Sequence, residues 1–213
     1  MSLNIKILTL VGCVGLVSCF SSKGLPIKEA KEVPQQEQKT DTNTKDISSQ
    51  QENVIVDTSP KDIPIENKID KPKVDHSNWD RLLKKYVAKN GDVNYKEFKK
   101  DSNTLNEYIS YLSEQVPSEE WTVNEQLAYF INVYNANTIK LIIDNYPTKS
   151  IKDIKNPWLK NRIKIGNKDF SLADIENGIL RKMNEPRIHF AINYASYSCP
   201  KLLSTTYTSS NVQ

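Results

Sequence analysis

The sequence predicts an α+β domain, helix-rich in its N-terminal half and completed by a small antiparallel sheet, carried behind a non-globular leader. Three observations predict it. Apolar residues recur at helical spacing from Trp79 to Leu112, and an almost unbroken apolar run follows from Leu127 to Ile143. Polar and apolar residues then alternate in Arg162–Phe170 and again in Arg187–Asn193, the period of strands. Between Ser21 and Val74 polar residues dominate, and Val54-Ile55-Val56 with Ile63 and Ile65 is the one piece that could serve as a docking strand for a partner. The 213 residues (24.4 kDa) suffice for one domain and an appendage. With 38% hydrophobic and 26% charged residues the chain is neither a multi-span membrane protein nor wholly disordered. Its net charge is +3, 25 of its 29 basic residues are Lys, and the signs alternate along the sequence. No basic patch marks a nucleic-acid partner.

Residues 1–18 read as a bacterial secretion signal: Lys6, then an apolar run from Ile7 to Val17 that is too short to span a bilayer. It ends in Leu16-Val17-Ser18-Cys19, which looks like a lipobox, so Cys19 is the expected lipidation site and the first residue of the mature chain. A plain secretory signal cleaved nearby is the alternative. The expected location is the bacterial envelope, outside the cytoplasm, with the lipid bilayer as a partner through acylated Cys19. From Ser21 to Lys73 there is no aromatic residue, and Gln, Thr, Ser, five Pro and nearly balanced charges fill the segment. Such a stretch buries too little apolar surface to offset its ordering entropy. Residues 19–73 are therefore expected to be a disordered tether, and 74–213 the domain.

In the domain, Ser77 is the expected cap of a first helix, with Asp80 three residues on. Trp79, Leu82, Leu83, Tyr86 and Val87 form its apolar face. Asn90-Gly91 predicts a turn. The surrounding Lys89–Phe98 imitates half of a calcium loop, but Ala88 stands where the first acidic ligand belongs and the loop is one residue short. Leu105, Tyr108, Ile109 and Leu112 mark a second helix. Thr122-x-x-Glu125 is a capping box opening a third, apolar on every side, in which Asn132, Asn135 and Asn137 require partners because buried amides are costly unpaired. Arg162–Ile165, Gly166-Asn167 and Lys168–Phe170 read as a hairpin near 161–171. Ser171 and Asp174 cap a further helix, and 187–193 reads as a strand with His189 on its polar side.

Cys13 leaves with the signal and Cys19 with the lipid, so Cys199 is the one thiol of the mature domain. It has no disulfide partner in a compartment that favours oxidation, and is either buried and inert or kept for its chemistry. Pro200 suits the first position of a helix, which would make Cys199 an N-cap where unpaired N–H groups favour thiolate. A Cys–His pair with a side-chain orienter is the general form of an activated thiol nucleophile. A metal site built from His76, His189 and Cys199 lacks ligand spacing. Neither metal nor cofactor is expected.

Asp75-His76-Ser77 with Trp79, Gly91–Tyr95, Asn124–Ala136, Asn145-Tyr146-Pro147 and Asp174-Ile175-Glu176 occur in that order. Gly178–Arg181, Pro186–Ala191 and Ser198-Cys199-Pro200 follow. Over residues 74–213 these blocks resemble the domain-of-unknown-function 547 family. The resemblance implies a thiol-hydrolase-like site, and with it a thiol-protease-like arrangement, at Glu125, Asn132, Asn135, His189 and Cys199. Two departures stand out: Asn177 replaces a His that relatives often carry, and relatives continue beyond Gln213, so the domain is expected to be incomplete at its C-terminus. The expected function is a Cys199–His189 hydrolase acting on an amide or ester such as an envelope peptide, with Glu125 or Asn135 orienting the imidazole. The alternative is a non-enzymatic envelope binding module in which Cys199 and the asparagines only hold the core. Oligomeric state is not encoded in any feature of the sequence.

Overall fold

The computed structural model describes residues 22–30, 73–196 and 199–212. The expected signal segment, the lipidation site Cys19 and tether residues 31–72 lie outside the described residues. α1 (Ser77–Tyr86) buries Trp79, Leu82, Leu83 and Tyr86, the spacing the sequence displays. The indole of Trp79 stacks on Tyr108 with 5.8 Å between ring centroids. The cap differs from expectation. The helix begins at Ser77, whose N–H donates to the Asp75 carboxylate, and Asp80 instead accepts from the Thr206 N–H at 3.0 Å and pairs with Lys84. At the expected turn Gly91 adopts φ +86°, and a Cβ there would stand 2.5 Å from the Cβ of Lys201. Gly91 thus allows both the turn and the close approach of the C-terminal segment. Asn94 caps the single-turn α2 (Tyr95–Phe98), and α3 (Ser102–Glu114) buries Leu105, Tyr108 and Leu112.

The centre of the fold is α4 (Val123–Asp144), 22 residues and so about 33 Å long. Its capping box forms as expected: the Glu125 N–H donates to Thr122 Oγ1 (3.2 Å) and the Thr122 N–H to Glu125 Oε2 (2.6 Å). Residues Gln126 to Ile139 are all buried, because α2, α3 and the segments after residue 174 pack around the helix. The hairpin pairs β1 (Ile163–Ile165) with β2 (Lys168–Phe170) antiparallel, Ile163 opposite Phe170, with Ile163, Ile165 and Phe170 facing the core. Its turn is hooked to the end of α3 by the Gly166 N–H on Ser113 O at 2.7 Å. Ser171 and Asp174 exchange hydrogen bonds as expected, but the helix they open widens into a π-helix over Asp174–Ile179 and tightens into a 3₁₀ turn over Leu180–Met183. The α+β class holds, with helix dominant.

Three expectations are corrected. Residues 187–193 are not a strand: Ile188–Ala191 form a helical turn, α5. Ile188, Ala191 and Ile192 are buried at i, i+3, i+4 while Phe190, which the alternating pattern turns inward, is 78% exposed. No helix follows Pro200, because residues 199–207 run without regular structure and their backbone bonds to side chains instead. Lastly, residues 22–30 of the expected tether lie docked on the domain. Leu25 enters the core, the Lys28 N–H donates to Gln126 Oε1 (3.0 Å), Gln126 Nε2 donates to Pro26 O (3.1 Å), and the Ala30 N–H donates to Met183 O (2.8 Å). Lys23 pairs with Asp174 at 3.0 Å and lies over the Phe170 ring.

Two predictions follow from the packing. Leu25→Ala removes a side chain buried across this strap and lowers stability by about 2–3 kcal/mol, read as a drop in urea midpoint with faster proteolysis within 22–30. His76, buried and bonded through Nδ1 to the Tyr108 hydroxyl at 2.7 Å, has its pKa pushed down to about 4 by burial, Asp75 opposing. Between that value and the ordinary 6.5 the unfolded chain holds the extra proton. Stability therefore falls as pH drops from about 6.5 through 4, and urea titrations of His76→Gln show a flatter dependence across that window.

Candidate thiol site

Two amides on α4 set the geometry of the C-terminal third. Asn132 donates through Nδ2 to Tyr207 O (2.7 Å) and accepts at Oδ1 from the Tyr207 N–H (3.3 Å) and the Thr206 hydroxyl (3.1 Å). Asn135, one turn on, donates to Ala191 O (2.9 Å) and accepts from the Asn193 N–H (2.9 Å). Each amide thus presents one donor and one acceptor, as a neighbouring strand would, and holds an extended segment against the helix. Asn137 and Thr138 bond within α4, to Val133 O and Tyr134 O.

Asn193 passes the constraint on. Its Nδ2 donates to Pro200 O (2.9 Å) and its Oδ1 accepts from the Ala195 N–H (2.8 Å), bracing both flanks of the turn that carries Cys199. Within that turn the Cys199 N–H donates to Ser196 O. Cys199 is a free thiol and half-buried, neither sealed in the core nor fully out in solvent. It lies in electrostatic range of Tyr134. Burial first, then Glu176, Tyr194 and Cys199, push the Tyr134 phenol far above its ordinary range, so it stays a neutral donor.

Beside it is a polar knot that sequence reasoning gave no role. Glu176, buried on the π-helix, accepts at Oε1 from the Tyr194 hydroxyl (2.7 Å) and from the Arg181 guanidinium (2.7 Å). Burial and this carboxylate hold the Tyr194 phenol protonated, and the hydrogen bond to Glu176 keeps Arg181 charged. The Tyr194 and Tyr134 rings meet edge to face at 6.0 Å. A Glu and an Arg five residues apart among the apolar positions Ile175, Ile179, Leu180 and Met183 were the available signal. For Asn193 it was an amide following Ala191-Ile192.

The other expected site residues are His189 and Glu125. His189 is exposed on α5, and among the described residues no hydrogen bond joins its ring to Cys199. Its neighbour Phe190 borders a groove of about 180 Å³ lined also by Ile131, Arg187, Ala191, Tyr207 and Val212, between the two segments that the asparagines hold. Glu125 is committed to the cap of α4 and to Lys73, and lies ten residues, about 15 Å of helix rise, before Asn135. Among the described residues no three metal-ligating side chains converge, and no helix is long and apolar enough to cross a membrane.

With this arrangement in view, the comparisons with known proteins place the chain. Residues 118–213, from the start of α4's leader to the C-terminus, match the family model described as Protein of unknown function, DUF547. α1 to α3 precede the matched span, which is shorter than the 74–213 the sequence blocks suggest. No curated protein and no solved structure matches the chain.

The relay yields a prediction. Asn135→Leu strands the Ala191 carbonyl and the Asn193 N–H in the interior, a loss of about 2–6 kcal/mol at 1–3 per group, measurable by urea unfolding. Asn193→Ala costs less, because its partners reach water. It raises the rate at which a neutral thiol reagent finds Cys199 in the folded protein, since both braces on the turn are gone.

Proposed function

We propose that this chain is a lipid-anchored envelope protein whose domain acts through Cys199 as a thiol hydrolase on an amide or ester substrate. The observation that carries the reading is the combination of exposure and bracing at Cys199. An inert structural thiol belongs in the core, whereas this one is half-buried on a turn fixed from both sides by Asn193. Fixed placement of a nucleophile is a main source of rate enhancement in covalent catalysis.

In the proposed reaction the Cys199 sulfur attacks the substrate carbonyl carbon, and the leaving amine or alcohol takes a proton. Water then cleaves the thioester to release the acid and restore the thiol. His189 is the base, reaching the sulfur directly or through one water as substrate settles, since catalytic hydrogen bonds are often absent before substrate binds. Asn135 and Asn193 are positioning residues, and the neutral phenol of Tyr134 is a hydrogen-bond donor on the thiol's side of the core. The lipid on Cys19 would hold the domain in the envelope.

The test is the rate of Cys199 alkylation against pH in the wild type and in His189→Ala, followed by a hydrolase screen with Cys199→Ala as control. The expected outcome is fast alkylation of the folded protein near neutral pH, slowed by the histidine substitution, and loss of activity by at least about 1000-fold in Cys199→Ala. A thiol that reacts only after denaturation, or activity unchanged in Cys199→Ala, rejects the enzyme and leaves a binding module with a structural cysteine.

A further inference from the structure

The docked strap and the residues it touches carry an inference about where the membrane meets this domain. Lys23 reaches the Asp169 carbonyl, the Asp174 carboxylate and the face of Phe170, fixing the start of the strap at the far end of the β1–β2 hairpin. The Phe170 carbonyl accepts from the Arg162 N–H at 3.0 Å, and the Trp158 carbonyl from the Ala173 N–H at 3.0 Å, so the segment leading into β1 lies at that same end. This segment is compositionally unlike the rest of the domain. From Lys149 to Arg162 it carries Lys149, Lys152, Lys155, Lys160 and Arg162 against a single acid, Asp153.

Its side chains are placed for an interface. Lys149, Lys152, Lys155 and Lys160 are exposed, and none of them makes an ion pair among the described residues. At the crest of the Asn156–Lys160 turn, closed by the Lys160 N–H on the Asn156 carbonyl, Leu159 is 67% exposed, with Trp158 half-buried beside it. A Trp–Leu pair among uncompensated lysines is the composition of a surface that rests in the headgroup layer: the lysines meet anionic headgroups and the apolar side chains enter just below them.

We propose that the 149–162 segment, with the start of the strap, is a binding surface for an anionic lipid bilayer, and that it holds the domain flat against the membrane. The covalent chain argues for the bilayer over an acidic protein. Cys19 is three peptide units from Ser22, so it lies within about 11 Å of the strap's beginning whatever path the chain takes. A lipid there, which is the anchor proposed above, delivers this surface to the headgroups. The domain then rides on two or three residues of spacer instead of fifty. Residues 31–72 follow the strap in sequence and are no part of the link between Cys19 and Ser22.

The full chain, purified from membranes and reconstituted into phosphatidylglycerol–phosphatidylcholine vesicles containing brominated lipid, is read by tryptophan quenching. Trp79 and Trp121 are buried in the core, so Trp158 is the reporter, and Trp158→Phe identifies its share of the signal. The expected result is quenching of the Trp158 component that disappears in pure phosphatidylcholine and in a Lys152→Glu, Lys155→Glu, Lys160→Glu variant, whose three exposed sites leave folding intact. Equal quenching in both lipids, or none, overturns the proposal, as does a triple variant that behaves as wild type. Mass spectrometry of the N-terminal peptide from the same sample reports acylation separately. If Cys19 carries no lipid, the unanchored chain is added to the same vesicles. Salt-sensitive binding reduced at least about 100-fold by the triple substitution then supports the surface without the anchor. Binding to polyglutamate with none to vesicles assigns the lysines to an acidic protein and overturns it.

Discussion

The structure depends on three carboxamides buried on one helix. Gln126, Asn132 and Asn135 each turn both ends of the amide toward the backbone of a segment with little regular structure of its own: 26–28, 206–207 and 191–193, where α5 ends. Moving such a group from water to an apolar interior costs several kcal/mol unless its hydrogen bonds are replaced, and here each is replaced on both sides. The debt runs the other way too. Irregular segments cannot enter a core without partners for their peptide groups, and the described residues offer only a two-stranded sheet. α4 supplies those partners from its side chains, which lets strap, α5 segment and C-terminal segment share one core with the helices.

That solution fixes the thiol as a consequence. Asn135 holds Asn193 by its backbone, Asn193 holds Ala195 and Pro200, and Cys199 hangs between those two points. The chain of constraint begins at a buried rigid helix, so the turn inherits order that its own sequence does not provide. The π-helix makes a parallel contribution. An extra residue in the turn is a common device at functional sites, and here it accompanies a buried Glu176 whose charge Arg181 balances and whose oxygen Tyr194 shares. Rigid placement serves a nucleophile and a core equally well. What separates the two readings is the half-exposure of Cys199, since a residue needed only for packing gains nothing from solvent.

Features set by neighbours in sequence were legible in it. The Thr122–Glu125 and Ser171–Asp174 boxes, the Trp79–Tyr86 face, the Asn90-Gly91 turn and the hairpin around Gly166-Asn167 all obey rules that span a few residues. The demand that Asn132 and Asn135 find partners was also legible, though not who the partners are. The misreadings arose where the deciding contact is distant. In 188–192 the alternating and helical patterns both fit, and the tie is broken by Asn135 taking the Ala191 carbonyl from 56 residues away. After Pro200 the expected helix yields to Asn193 and Asn132, which occupy the Pro200 carbonyl and both backbone polar groups of Tyr207. Glu125 satisfies a local rule, the cap of α4, which its own neighbourhood in sequence announces.

The strap shows the same principle at its sharpest. Its composition belongs to a disordered tether, and nothing within 22–30 contradicts that. Order comes from Gln126, about a hundred residues on, from Met183, and from the core that receives Leu25. A composition rule states what a segment does when left alone, and this segment is not left alone. Gln126 and Asn135 are nine residues apart on α4, a rise of about 14 Å, so the helix that binds the strap also orders the thiol turn. With the proposed lipid on Cys19, membrane attachment and site geometry are then referred to one rigid element. A substrate presented near the bilayer surface would meet Cys199 at a set height, and a long flexible tether would give the site no such register.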